Sequence, residues 1–148
     1  MAVLRAQPYG NQNFVVDLGT GTSGPDSSFA EVIIPGISVD VIEYRSGSDP
    51  NNVRKLPGLT HYGDVTLKRG IVGSLNLYQW IDAIRNGATN AARNVTIQLL
   101  SEDRSAVVFT WKLFRAWPAK YVGPTLKAEG NDVALEELVL TYERLELE

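Results

Sequence analysis

The 148-residue sequence contains no cysteine, which removes disulfide frameworks, thiolate zinc sites, iron–sulfur clusters and cysteine nucleophiles at once. Histidine is nearly missing as well. His61 is the single one, so a mechanism needing two imidazoles from one chain is excluded. No apolar run approaches the roughly 20 residues of a membrane-spanning helix. Met1–Gly10 carries one basic residue and no apolar stretch of the kind a secretory leader has. The expectation is a protein made in the cytoplasm, without a membrane anchor. Excess positive charge is also lacking: the net charge of −3 offers no cationic footprint for gripping nucleic acid. Little catalytic equipment remains.

What is present is ordinary globular material, 44% hydrophobic and 21% charged. One domain with a true core is expected, since a chain of this size buries about 68–70% of its unfolded surface. The charge is unevenly placed. Residues 1–128 hold 13 basic and 10 acidic side chains, whereas residues 129–148 hold 1 and 7. Such polarity suits head-to-tail association of copies, and equally a solvated acidic tail.

Most of the chain reads as strands. Phe14–Leu18 and Phe29–Ile34 are β-rich runs separated by a Gly/Thr/Ser loop. Apolar and polar residues alternate through Ile37–Arg45, Val65–Arg69, Val95–Leu99 and Val107–Phe114, as in sheets covered on one face. One helix is expected over 77–86. Asn76 and Gln79 have the spacing of a capping box, Leu75 and Trp80 that of a hydrophobic staple, and Gly87 stands where a helix stops. Leu77, Ile81 and Ile84 would be its apolar stripe. Leu135, Leu138, Val139, Tyr142 and Leu145 also fit helical spacing, although Leu138–Tyr142 is good strand material; by pattern alone the last segment reads as helix. Between two alternating strands lies a long connection, 46–63, rich in Gly, Asn and Pro. Its anchors Arg54, Lys55, Leu56, Leu59 and Tyr62 suit a loop that docks on a partner.

Motifs that could carry chemistry fail on context. Gly19–Gly24 has the letters of a dinucleotide fingerprint, but Pro25–Ser28 and a strand follow where the chemistry needs a helix, so it reads as a hairpin loop. Asn94-Val95-Thr96 is a sequon in letters and a strand start by pattern. His61 near Asp64 lacks a nucleophile elbow or a second ligand, and Glu136-Glu137 reads as a solvated acidic face. Trp80, Trp111 and Trp117 could form a sugar platform, yet Trp80 belongs to the helix and Trp111 alternates with Phe109 and Leu113 as core residues do; Trp117 precedes Pro118.

Several phrases in order resemble a known family. Tyr44-Arg45 with Gly47, Arg54-Lys55-Leu56-Pro57-Gly58, Val65–Gly70, Leu77-Tyr78-Gln79-Trp80-Ile81, Ala116–Tyr121 and Gly130–Glu136 through Glu143 are similar to the tail tube proteins of contractile-tailed bacteriophages. The inner tube proteins of phage-tail-like contractile injection systems belong to the same family. The resemblance runs from Phe14 to Leu145. It implies a mainly β fold, a small β-sandwich or half-barrel with one flanking helix, in a single tail-tube domain over 1–148. Six copies would join into a ring with a continuous β-barrel around a lumen, and rings would stack into a hollow tube inside a contractile sheath, meeting baseplate and tail-terminator proteins. DNA or protein cargo would pass through without specific binding. Such a subunit would be part of a virion tail or an extracellular injection particle assembled in the bacterial cytoplasm. No catalytic, cofactor or metal residue is implied. The resemblance makes the last segment a strand, against its helical pattern. It makes 46–63 the arm that reaches a neighbouring subunit or ring, with Arg45, Arg54, Lys55, Leu56, Pro57, Leu59 and Tyr62 as contacts. A lumen should be polar without rings of lysine or arginine, which would hold DNA. The polar strand faces suggested for it are Ser38 and Asp40, Thr66 and Lys68, and Thr96 and Gln98. A carbohydrate- or peptide-binding β-sandwich is the alternative, and a hydrolase built on His61 is a more distant one.

Overall fold

The computed structural model describes residues 2–19, 29–48 and 51–148. Nine strands and one helix follow in the order β1 (Phe14–Asp17), β2 (Glu31–Ile33), β3 (Ile37–Tyr44), β4 (Arg54–Tyr62), β5 (Val65–Gly70), α1 (Asn76–Arg85), β6 (Arg93–Leu100), β7 (Val107–Val122), β8 (Leu135–Thr141) and β9 (Arg144–Leu147). Seven of the strands make one antiparallel sheet, ordered β1-β6-β7-β8-β5-β2, with β9 against the first part of β7. The other two, β3 and β4, pair only with each other.

The large sheet bends over on itself, without closing, because β7 changes partners along its length. Its first half pairs with β6 and β9, its second half with β8. Between the halves Arg115 takes a left-handed φ of 53°, and its N–H donates to Asn94 Oδ1 at 3.2 Å. The register with β6 slips there, as at a β-bulge, which bends a strand and raises its twist. Asn94 thus serves as a backbone clamp inside β6. Val16, Val95, Ile97 and Leu113 on one side of the bend meet Val65, Leu67, Leu138 and Leu140 on the other, all fully buried in one core. The resulting half-barrel matches the expected class. The alternation expected for β5 is realised: Val65, Leu67 and Arg69 point inward while Thr66 and Lys68 remain half-exposed.

Helix α1 packs on β7 through Leu77 and Trp80, whose indole N–H donates to Ala91 O at 2.7 Å. Ile81 and Ile84 are only half-buried. The expected capping box is not formed. Leu75 is the N-cap and makes no side-chain cap, Asn76 is already helical, and Ser74 Oγ accepts from the Asn76 N–H instead. Leu75, expected to staple to Trp80, is largely exposed. The stop at Gly87 is realised: with φ at 80° it donates to Ile84 O, and Ala88 donates to Ala83 O, the paired bonds of a Schellman cap.

Two further readings are corrected. The helical pattern of the last segment is overruled, since 135–141 and 144–147 are strands in the large sheet. Every second residue of β8 (Glu136, Leu138, Leu140) faces the core, and that burial outweighs local propensity. The connection 46–63 is not loop throughout, because residues 54–62 pair with β3 along almost its whole length. Pro57 sits within that strand, where only a strand with a free edge tolerates proline. The Gly/Thr/Ser loop and most of the Gly19–Gly24 motif lie outside the described residues.

Candidate assembly surfaces

The β3–β4 ribbon is an arm. All eight residues of β3 are exposed, although Ile37, Val39, Val41 and Ile42 are among them. At about 3.4 Å per residue the ribbon extends roughly 25 Å, well beyond the roughly 15 Å radius of gyration of a domain this size. Its base is fixed to the body: Tyr62 packs on Tyr142 with ring centroids 5.8 Å apart, and the Gly63 N–H donates to Gly36 O at 3.5 Å. Only glycine fits there, since a Cβ at Gly63 would lie 2.6 Å from Pro35 Cβ. Midway, the register shifts between Val39 and Val41, so that Gly58 and Leu59 form a bulge opposite Asp40. Beyond the bulge one face presents the cross-strand pairs Ile42–Leu56 and Tyr44–Arg54, and the other presents Val41–Pro57 and Glu43–Lys55.

The arm gathers all the contact residues expected from the sequence. Arg54, Lys55, Leu56, Pro57, Leu59 and Tyr62 lie on β4, and Arg45 follows the end of β3. All are exposed except the half-buried Tyr62. An isolated two-stranded ribbon is at best marginally stable in water, and this one keeps apolar side chains on both faces. Among the described residues its faces stay largely uncovered.

The six polar residues suggested for a lumen are not in the core, and they do not form one surface. Ser38 and Asp40 are on the arm. Thr66 and Lys68 lie on the outward face of β5, in cross-strand rows with Ile33 and Val139 and with Glu31 and Glu137. Lys68 Nζ is 3.6 Å from Glu31. Thr96 and Gln98 lie on the outward face of β6, beside Asp17 and Val15 on β1 and Lys112 and Thr110 on β7.

His61 bonds Asp40 Oδ2 at 2.8 Å through Nε2, in place of the expected neighbour Asp64. Ser38 stands directly across from His61 in the register, yet His61 hydrogen-bonds the carboxylate and not the hydroxyl. The His61–Asp40 pair is more than half exposed on a flat ribbon, where nothing excludes water or orients a substrate. Among the described residues no cluster of His, Asp and Glu could hold a metal ion. The tryptophans do not form a platform either: Trp80 is buried in the core and Trp111 packs on it, with Phe109 4.8 Å away, while Trp117 is partly exposed. No helix among the described residues is long and apolar enough to cross a membrane.

One buried polar network was not anticipated. Arg69, almost wholly buried, donates through Nε to Glu136 Oε1 at 2.8 Å, and the Tyr121 hydroxyl donates to Glu136 Oε2 at 2.6 Å. The hydrogen bond to that carboxylate, with burial second, pushes the Tyr121 hydroxyl up to about 12. Arg69 also reaches Ser74 O at 3.5 Å, holding the turn before α1 over the end of β5. The signal was present in the alternation: Arg69 shares its parity with Val65 and Leu67, as Glu136 does with Leu138 and Leu140.

The comparisons agree with this architecture. The family model of the T4-like virus tail tube protein gp19 matches residues 10–146. A chain in the sheath–tube complex of the extracellular contractile injection system PVC, in its extended state, is 29% identical with a TM-score of 0.83, covering 95% of this chain and 91% of that one. A chain of the tube-terminating cap of the anti-feeding prophage is 26% identical with a TM-score of 0.84, covering 100% and 95%. Hcp1 from Flavobacterium johnsoniae, 15% identical with a TM-score of 0.56 over 91% and 94% of the two chains, shares the fold. No curated protein matches by sequence. On the match that spans nearly its whole length, the chain belongs to the T4-like virus tail tube protein family, whose members are structural tube subunits and not enzymes.

Proposed function

We propose that the protein is the inner-tube subunit of a contractile tail or injection particle, with residues 1–148 as one tube domain. Six copies form a ring, rings stack into a hollow conduit, and DNA or protein cargo slides through it without specific binding. The observation that carries this reading is the arm, an apolar ribbon exposed on both faces in a chain similar to a subunit of a sheath–tube complex. A heterologous contact, repeated, closes rings or extends filaments, and a tube needs both. Free sheet edges, a liability in a monomer, are what a barrel closed across subunits would use. The structures this chain is similar to come from sheath–tube, tube-terminating and baseplate assemblies, which supports sheath, terminator and baseplate proteins as partners. Assembly takes place in the bacterial cytoplasm.

Arg45, Arg54, Lys55, Leu56, Pro57, Leu59 and Tyr62 make the subunit contacts of the arm, and Ser38 and Asp40 belong with them. For the lumen the β6 pair, Thr96 and Gln98, is favoured over Thr66 and Lys68. Its surroundings are Asp17, Lys112 and Glu146, whereas the β5 face lies in one sheet surface with the exposed Ile33 and Trp117. Electron microscopy of the purified protein, with light scattering across a concentration series, tests the function. Rings or hollow tubes of six-fold symmetry are expected. A protein that stays monomeric at high concentration, even with tube-initiating partners added, refutes it.

A further inference from the structure

The body carries an exposed apolar patch that the tube reading does not by itself employ. At the end of β5 the chain runs through Ile71 and Val72 to Leu75, and all three are exposed, Val72 by 60%. Alongside lie Val133, 75% exposed, and Leu135. The two segments are held together: Ile71 N–H donates to Ala134 O at 3.0 Å, Gly70 pairs with Leu135, and a Cβ on Gly70 would meet Val133 at 3.8 Å. Arg69 fixes the turn from beneath through Ser74 O. The patch is therefore a preformed surface on a rigid corner and not a frayed loop. Just before Val133 in the chain stand Glu129 and Asp132 against Lys127, a net acidic stretch where the acidic segment 129–148 begins.

The distal half of the arm has the complementary character. Past the bulge its apolar pair Ile42–Leu56 is followed by Tyr44–Arg54, and residues 43–55 hold Arg45, Arg54 and Lys55 against Glu43 and Asp49. An apolar centre with a basic end faces, in chemistry, an apolar centre with an acidic end. The exposure of every β3 residue shows that the arm does not fold back on its own body. The geometry points to one occupant: the Ile42–Leu56 face of the arm in one copy seats on the Ile71–Val72–Val133–Leu135 corner of another. The inference rests on the tube reading and names the surface that receives the arm.

The chain has no cysteine, so introduced thiols report single contacts. Leu56→Cys and Val72→Cys are combined in the full-length chain, and assembled tubes are treated with a short flexible bismaleimide. A ladder of covalent oligomers on a denaturing gel is expected. The control pairs Leu56→Cys with Val15→Cys on the free edge of β1 and is expected to give none. As a second reading, Leu56→Asp and Val72→Asp each raise the concentration needed for assembly at least tenfold while leaving circular dichroism and melting unchanged. Tubes that form but link through Val15, or through neither site, overturn the docking surface and leave the tube function standing. Aspartate variants that assemble like the parent overturn it equally. Failure of the parent chain to assemble at all removes the tube reading, and the docking surface with it.

Discussion

At the residue scale, the polar network inside the half-barrel dominates what single substitutions can do. Arg69 and Glu136 are direct cross-strand partners in the core, so removing one leaves the other charged and buried. Arg69→Ala is expected to cost about 3–5 kcal/mol in urea unfolding, and the double change Arg69→Met with Glu136→Leu to recover much of that. Tyr121 supplies a pH signature. Its hydroxyl titrates higher in the folded chain than its ordinary value of 10.0, near 12, because it donates to Glu136. A raised value stabilises the fold fully below about pH 10 and loses that contribution as pH rises through 12. Unfolding measured across this window should show the loss, and Tyr121→Phe should abolish that part of it. Glu136-Glu137 read as a solvated acidic face because charge is the first thing a sequence displays. Only the parity with Leu138 and Leu140 distinguishes the buried carboxylate from its exposed neighbour, and that parity has meaning only once the segment is known to be a strand.

At the element scale, the helix shows which terminal signals are local and which are not. Gly87 was legible because a left-handed residue after the last turn is a backbone requirement that glycine meets without strain. Nothing lies within 4 Å of a Cβ placed there, so Gly87→Ala tests the backbone alone and should cost about 1 kcal/mol in thermal or urea unfolding. The start differs from the capping-box spacing because Asn76, the expected cap, is already helical, and Arg69 reaches Ser74 O in the turn just before it. The strand at 54–62 was hidden for a different reason. Two bulge residues and Pro57 break its alternation, and neither face is buried within the chain, so no period was there to read. The arm's base depends on a close approach. Gly63→Ala should displace it and reduce assembly while leaving the core's melting temperature within a few degrees of the parent, because the contact it breaks lies outside the sheet core. Amide hydrogen exchange should find β3 and β4 unprotected in the free subunit and slow in tubes, since a lone ribbon lacks the packing to stay closed.

For the whole molecule, the mainly β class and the family were legible from short motifs spread over the chain, but the placing of surfaces was not. Thr66 and Thr96 have the same alternation in sequence, and only the bend in β7 sends them to different outward faces. The charge polarity makes a kinetic prediction for the proposed assembly. Arg54→Glu with Lys55→Glu should slow association about tenfold at low salt and flatten its dependence on ionic strength, followed by light scattering. The apolar contacts would be left intact by these changes, so assembly should persist at higher protein concentration.

The continuity of β7 bears on how the molecule would carry load. One sixteen-residue strand is hydrogen-bonded into both halves of the half-barrel, so covalent backbone crosses the core from the β6–β9 side to the β8 side. A push entering at one half reaches the other through peptide bonds as well as through packed side chains, which makes the subunit behave as a strut and not as two plates free to shear. The compliant part is then the arm, joined at a single base. A tube of such parts would be stiff within each subunit and would take up bending between them.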